Sequence, residues 1–205
     1  MLKLLISCLL LTCQTNFIVE AEAAPQIKSA PLNIKCAPQL QDNLNTMLKL
    51  PEIRDLISTI QKEGNIQITV RNTELSEQFG AFWDMDNRII CIAMSPNSSK
   101  GRIIGSILFE LHNALANSQL NALDELAAKK KITKSAYVEG VERIEYHNSL
   151  KASAIASKGI KLGLFPPDAE LSTYSSFEEH YRIQQWAGHS AWIAKTYDDI
   201  VRHST

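Results

Sequence analysis

The sequence has almost no excess of either charge: 21 Lys and Arg residues stand against 22 Asp and Glu residues, for a net charge of −1. A balance this even gives no electrostatic reason to expect nucleic acid or an anionic membrane surface as a partner. The chain also lacks internal repeats and low-complexity tracts. With 205 residues, 45% of them hydrophobic, it is long enough for one domain with its own core.

Several motifs that would identify an enzyme class are missing too. There is no G-x-S-x-G, no phosphate-binding loop, no dinucleotide fingerprint and no EF-hand loop. Cysteine is scarce, and neither Cys36 nor Cys91 has a second cysteine or a histidine at a zinc-ligand spacing. In an oxidising compartment these two residues could form one disulfide. Their positions in the sequence do not show whether they lie within bonding distance.

The N-terminus carries the clearest pattern of the chain. A short positive start at residues 1–3 precedes the apolar run LLISCLLLTC, and Ala-Glu-Ala at residues 21–23 has the small-x-small form of a cleavage site. This order predicts a Sec signal peptide over residues 1–23, too short and wrongly flanked for a membrane-spanning helix. The mature protein is then periplasmic or secreted, with no transmembrane segment. Because LLTC loosely resembles a lipobox, a lipoprotein anchored at Cys13 stays open.

The rest of the chain predicts a tether followed by one α+β domain. Residues 24–36 are punctuated by proline and weakly patterned, so we assign them to a tether before a single domain over 37–205. A β-branched strand at 66–71 and two aromatic and β-branched runs around Asp84–Asn87 predict a small antiparallel sheet with a hairpin over about 66–94. Helices are predicted on either side of it, at 38–49, 51–64, 102–117, 119–131, 135–157 and 176–202.

The helix at 102–117 contains the unusual run ILFELHNA, residues 107–114. On a helical wheel Glu110 and Asn113 fall on one narrow polar stripe, whereas His112 falls roughly 160° away from Glu110. His112 therefore cannot share a site with Glu110, and we expect it at the surface. The stripe carries no lysine or arginine, which leaves Glu110 open to burial as well as to exposure.

A strand, an aromatic hairpin and then a helix with glutamate at this position resemble the core of the zincin-like metallopeptidases. Those enzymes carry H-E-x-x-H on the helix, and here the same frame reads Phe109, Glu110, Leu111, His112 and Asn113. The resemblance implies a zincin-like core with Glu110 at the general-base position. It does not carry over a metal, because both histidine ligand positions are replaced and phenylalanine cannot bind zinc. We expect no metal site and no cofactor.

Two later helices contribute further polar candidates. On the helix at 135–157, Asn148 lies within the apolar stripe and Glu145 at its edge, whereas Glu139 and Glu142 are expected to be solvated. On the last helix, Gln185 and His189 lie one turn apart between two apolar stripes. His180 has no comparable context.

These pieces support one economical hypothesis. Six side chains from three helices converge in a buried polar network: Glu110, Asn113, Glu145, Asn148, Gln185 and His189. Such a network can fix the helix register, or it can form a catalytic pocket with Glu110 and His189 as the reacting groups.

The function expected from this pattern is that of an exported, non-catalytic zincin-like domain that binds a protein or peptide. The alternative is an extracytoplasmic hydrolase that uses Glu110 with Glu145 or His189. A secreted effector or toxin component would share the same export signal.

Overall fold

The computed structural model describes residues 32–73 and 78–204. The predicted signal peptide, Cys13 and most of the predicted tether lie outside these residues. The α+β class is confirmed, with helices packed around a small sheet. The helices are α1 (Gln41–Met47), α2 (Pro51–Ile60), α3 (Lys100–Leu115), α4 (Asn117–Ala128), α5 (Lys134–Lys161), α6 (Phe177–Ala187) and α7 (His189–His203). None of these described helices combines the length and the apolar character that a membrane span requires.

The sheet is mixed rather than antiparallel, which corrects the sequence prediction. Its strands β1 (Ile34–Cys36), β2 (Ile66–Val70), β3 (Ala81–Asp84) and β4 (Ile89–Ile92) lie in the order β1-β2-β4-β3. The predicted hairpin is confirmed, since β3 and β4 pair antiparallel. However, β4 lies between β3 and β2 and pairs parallel with β2. Helices α1 and α2 connect β1 to β2, and a helical crossover of this kind permits the parallel pairing of those two strands.

Strand β1 also corrects the extent of the tether. Residues 34–36 belong to the range assigned to the tether, yet they pair with residues 66–68 at the edge of the sheet. Both cysteines in the described part of the chain are free, and they lie on different strands, Cys36 on β1 and Cys91 on β4, with β2 between them. Three paired residues are too few to show an alternating pattern, which is why no strand was predicted here.

Helix α3 lies at the centre of the fold. It begins after Ser99, whose side chain accepts a hydrogen bond from the backbone N–H of Arg102 at 3.2 Å, as expected of an N-cap. Its apolar side packs with α2 and the sheet, and α5 packs along it. The core residues of this region include Ile68 and Ile90 from the sheet and Ile104 and Ile107 from α3, all 0% exposed.

The C-terminal segment consists of two helices and not of the single helix predicted for residues 176–202. Helix α6 ends at Ala187, and Gly188 adopts a left-handed backbone with φ of +88° before α7 begins. Only glycine takes this conformation at little cost, so Gly188 is the natural point for the break. Both helices pack on α5, and the turn at Gly188 sets the side chains that follow it at a new angle.

Candidate functional site

A cavity of about 430 Å³ opens between β3, α3, α5 and α7. Much of its lining is aromatic, with Phe82 and Trp83 from β3, Phe109 from α3 and Trp192 from α7. Ionisable side chains share the same lining: Glu110, Glu145, His180 and His189. A concave site with apolar walls and a few converging polar groups is the usual form of a small-molecule pocket.

Glu110 is buried at the wall of this cavity. Its side chain is on the face of α3 that looks toward β3, and only 4% of the residue is exposed. The Asn113 side chain donates a hydrogen bond from Nδ2 to Glu110 Oε2 at 3.0 Å, and the backbone N–H of Trp83 donates a second one. Burial is the largest influence and raises the pKa of Glu110 to about 8, even though both hydrogen bonds act in the opposite direction. The carboxyl group is therefore mostly protonated at neutral pH.

A chain of amide hydrogen bonds ties this glutamate to α5. Asn148 donates from Nδ2 to Asn113 Oδ1 at 3.0 Å, and Asn113 in turn donates to Glu110. Asn113 and Asn148 are 5% and 4% exposed, so each would leave a costly unpaired polar group if the other were removed. The predicted proximity of Glu110, Asn113 and Asn148 is confirmed, and their bonds fix the register of α3 against α5.

Glu142 is the most deeply buried charged side chain among the described residues, with no exposed surface. Its carboxylate accepts from Ser190 Oγ at 2.6 Å, from His180 Nε2 at 3.2 Å and from His189 Nδ1 at 3.2 Å. Burial alone would raise the pKa of Glu142, but these three bonds outweigh it and lower the pKa to about 2. Glu142 is thus a fixed negative charge, where the sequence predicted a solvated side chain.

His189 lies between two glutamates of α5. Its Nδ1 is 3.2 Å from Glu142 Oε1, and its Nε2 is 3.6 Å from Glu145 Oε2. Burial disfavours the imidazolium, yet attraction to Glu145 and Glu142 prevails and raises the pKa of His189 to about 9. Burial also raises the pKa of Glu145. The ring stands edge-on against Phe79, with ring centroids 5.0 Å apart.

His180 is a second buried histidine that the sequence did not single out. It is 4% exposed and lines the cavity. Its Nε2 bonds Glu142, whereas its Nδ1 is buried and has no hydrogen-bond partner among the described residues. The rings of Tyr146 and Tyr174 lie against it, each with its centroid 5.5 Å away.

Two further predicted positions are wrong. His112 is buried at 4% exposure, not at the surface, and its Nδ1 lies 2.8 Å from the carbonyl oxygen of Leu108. It is covered because α5 packs along α3, so that α3 has no open side at this point. Gln185, predicted to join the network, is exposed because the break at Gly188 turns it away from His189.

The arrangement of Glu142 determines which reactions these groups can support. In a Ser–His–Glu relay the serine hydroxyl donates to the histidine, whereas Ser190 donates directly to the Glu142 carboxylate. Ser190, His189 and Glu142 therefore do not form a Ser–His–Glu relay. Glu142, Glu145 and His189 each offer a metal-ligand atom, and these atoms lie within 4.8 Å of one another.

Comparisons of the chain with protein-family models, with curated proteins and with solved structures find no match. The zincin-like resemblance therefore rests on the order of β2, the hairpin and α3, and on the place of Glu110 in α3. It stays a prediction.

Proposed function

We propose that this chain is an exported, non-catalytic relative of the zincin-like fold, and that its cavity binds a small amphipathic ligand. The observation that carries the proposal is the surroundings of Glu110, a carboxyl group in the cavity wall that is 4% exposed and hydrogen-bonded to Asn113. A general base has to be ionised at the working pH, and this carboxyl group, with a pKa of about 8, keeps its proton at pH 7. Phe109 and Asn113, at the two positions where a zincin has its histidines, leave it without the neighbouring zinc ligands.

The lining of the cavity defines the class of ligand. Aromatic walls and a volume of about 430 Å³ suit one ring system with a short polar arm. Three carboxyl groups line the cavity, those of Glu110, Asp124 and Glu145, and they outnumber the imidazolium of His189, whose charge is already paired on both sides. A neutral or cationic hydrogen-bond donor is therefore favoured in this site, because carboxyl groups can accept its bonds. An anionic ligand is disfavoured, because the same carboxyl groups repel it.

The test compares two indole compounds of opposite charge, tryptamine and indole-3-propionate. Each is titrated into the full chain by calorimetry in buffer containing EDTA. We expect tryptamine to bind and indole-3-propionate to bind at least about 10-fold more weakly, a difference of ~1.4 kcal/mol. Equal affinity of the two compounds, or binding of neither, would contradict the proposal.

A matched pair of variants shows whether the ligand enters the cavity. Thr196 lines the cavity on α7 and bonds the carbonyl group of Trp192, while Thr59 makes the corresponding bond to Asp55 on the exposed side of α2. Thr196→Trp should block tryptamine binding, and Thr59→Trp should leave it unchanged. Equal binding by the two variants would place the ligand elsewhere.

A hydrolase is the second candidate, favoured by two protonated groups that line one cavity. Glu110 and His189 both hold a proton at neutral pH, and either could act as a general acid. In that case a panel of peptide and ester substrates should be hydrolysed by the wild type and not by Glu110→Gln. Equal turnover by both proteins would remove Glu110 from any reaction.

Export is part of the proposal and has its own test. The chain should be found outside the cytoplasm after expression from its own N-terminus, and N-terminal sequencing should begin at residue 24. A Cys13→Ser variant separates the two routes, because only a lipoprotein would lose its membrane attachment.

A further inference from the structure

The space between α5 and α7 has the donor set of a metal centre. Glu142 and Glu145 are three residues apart on α5 and therefore project from the same side of that helix. His189, in the first turn of α7, faces them with different ring nitrogens: Nδ1 is 3.2 Å from Glu142 and Nε2 is 3.6 Å from Glu145, and one of these nitrogens would bind the ion. We propose that Glu142, Glu145 and His189 bind a divalent transition-metal ion such as Zn²⁺ or Mn²⁺.

The spacing of the ligand atoms fits such an ion. Zinc lies about 2.0–2.2 Å from nitrogen and oxygen ligands, which puts neighbouring ligand atoms roughly 3.3 Å apart in a tetrahedral site. One atom from each of the three residues lies within 4.8 Å of the other two, so small rotations of the Glu145 and His189 side chains would close the site on an ion bound to Glu142. Two carboxylates with an imidazole are a common ligand set for this group of metals, and the two negative charges balance the ion.

The surroundings of Glu142 are those of a supported metal ligand. Ser190 Oγ and His180 Nε2 bond its carboxylate and hold it in a single orientation. Ligating carboxylates in metal centres are usually fixed by such neighbouring donors, whose loss weakens binding about 10–100-fold.

His180 adds a second observation, which concerns the cavity beside the cluster. Its side chain is 5% exposed and lines this cavity, yet its Nδ1 has no hydrogen-bond partner among the described residues. Because Nε2 bonds Glu142, Nδ1 points to the other side of the ring. Buried polar atoms are normally satisfied, so Nδ1 marks a place where a molecule or water bound in the cavity would supply the partner. Since Glu145 and His189 also line the cavity, positions on the ion would stay open to a molecule bound there.

The test titrates Co²⁺ and Zn²⁺ into full-length protein that has been treated with EDTA and dialysed. We expect one ion per chain by calorimetry, together with visible absorption from the bound Co²⁺. Glu145→Gln and His189→Gln should each weaken binding at least about 100-fold, and Ser190→Ala about 10-fold. Glu145 is 17% exposed, so its replacement by glutamine leaves the fold intact, which circular dichroism and the melting temperature verify.

Two exposed residues on the same helices serve as controls. Glu139 on α5 pairs with Arg143 at the surface, and His203 is exposed near the end of α7. Glu139→Gln and His203→Gln should bind the ions as the wild type does. The proposal is overturned if the wild type takes up no ion, or if Glu145→Gln and His189→Gln bind as tightly as these controls. The inference is independent of the proposed ligand binding, whose titrations contain EDTA, so either one can fail alone.

Discussion

The carboxyl group of Glu110 leads to a stability prediction whose sign is unusual for a buried, hydrogen-bonded residue. Burial raises its pKa from 4.5 to about 8, whereas the unfolded chain ionises near 4.5. Between these two values the native state holds a proton that the unfolded state has released, so the free energy of unfolding falls as the pH rises. At pH 7, about 2.5 pH units above 4.5, the loss is about 3 kcal/mol at ~1.4 kcal/mol per unit.

Replacing Glu110 with glutamine removes this loss, because glutamine cannot ionise. Its carbonyl oxygen still accepts from Asn113 and from the Trp83 backbone. We expect Glu110→Gln to be about 3 kcal/mol more stable than the wild type at pH 7, and to differ from it by no more than ~1 kcal/mol at pH 4. For a chain of this length the difference at pH 7 corresponds to a melting temperature higher by roughly 6–12 °C.

The assay is urea denaturation followed by circular dichroism at several pH values from 4 to 7, in the presence of EDTA. Glu139→Gln is the control, since Glu139 is exposed and its pair with Arg143 contributes less than about 1 kcal/mol. If Glu110→Gln is less stable than the wild type at pH 7, Glu110 is ionised in the native protein, and the reasoning is refuted.

Two further changes test the packing around the site. The pKa of Glu142 is held at about 2, so its ionised form stabilises the native state above pH 4.5 and loses this effect as the pH falls toward 2. Glu142→Gln should therefore lower the free energy of unfolding by about 3 kcal/mol at pH 6, and by progressively less below about pH 4.5, in urea denaturation. A loss that is the same at pH 6 and pH 3 would contradict this. Gly159→Ala should lower the free energy of unfolding by about 1–3 kcal/mol in the same assay, because a Cβ there would overlap the Phe165 ring on the inner side of α5. A gain in stability would show that the ring can move aside.

Much of the fold was predictable because the signals for it are local. The strand at 66–70, the hairpin and helices α2 to α5 follow from alternation, turn residues and the spacing of apolar positions. The same spacing correctly placed Glu110 beside Asn113. The parallel pairing of β1 and β2 was not predictable, because it depends on residues more than thirty positions apart along the chain.

The burial of Glu142 was not predicted, for a different reason. A helical wheel ranks faces by their apolar residues, and the side of α5 that carries Glu142 is buried by polar partners, namely His180, His189 and Ser190. The spacing of Glu142 and Glu145 offered the only signal, and it does not distinguish a buried pair from a solvated one. Gly188 could have revealed the break before His189, since glycine commonly ends a helix.

The hydrogen bond from Trp83 to Glu110 has a consequence for the outer edge of the sheet. Strand β3 is an edge strand, and in an antiparallel pair every second residue turns its backbone N–H away from the partner strand. Such free groups can pair with a strand of another molecule and begin aggregation. The Glu110 side chain occupies one of them from inside the same chain, while β1, at the opposite edge, is only three residues long. Glu110 thus leaves one fewer free backbone donor at this edge of the sheet.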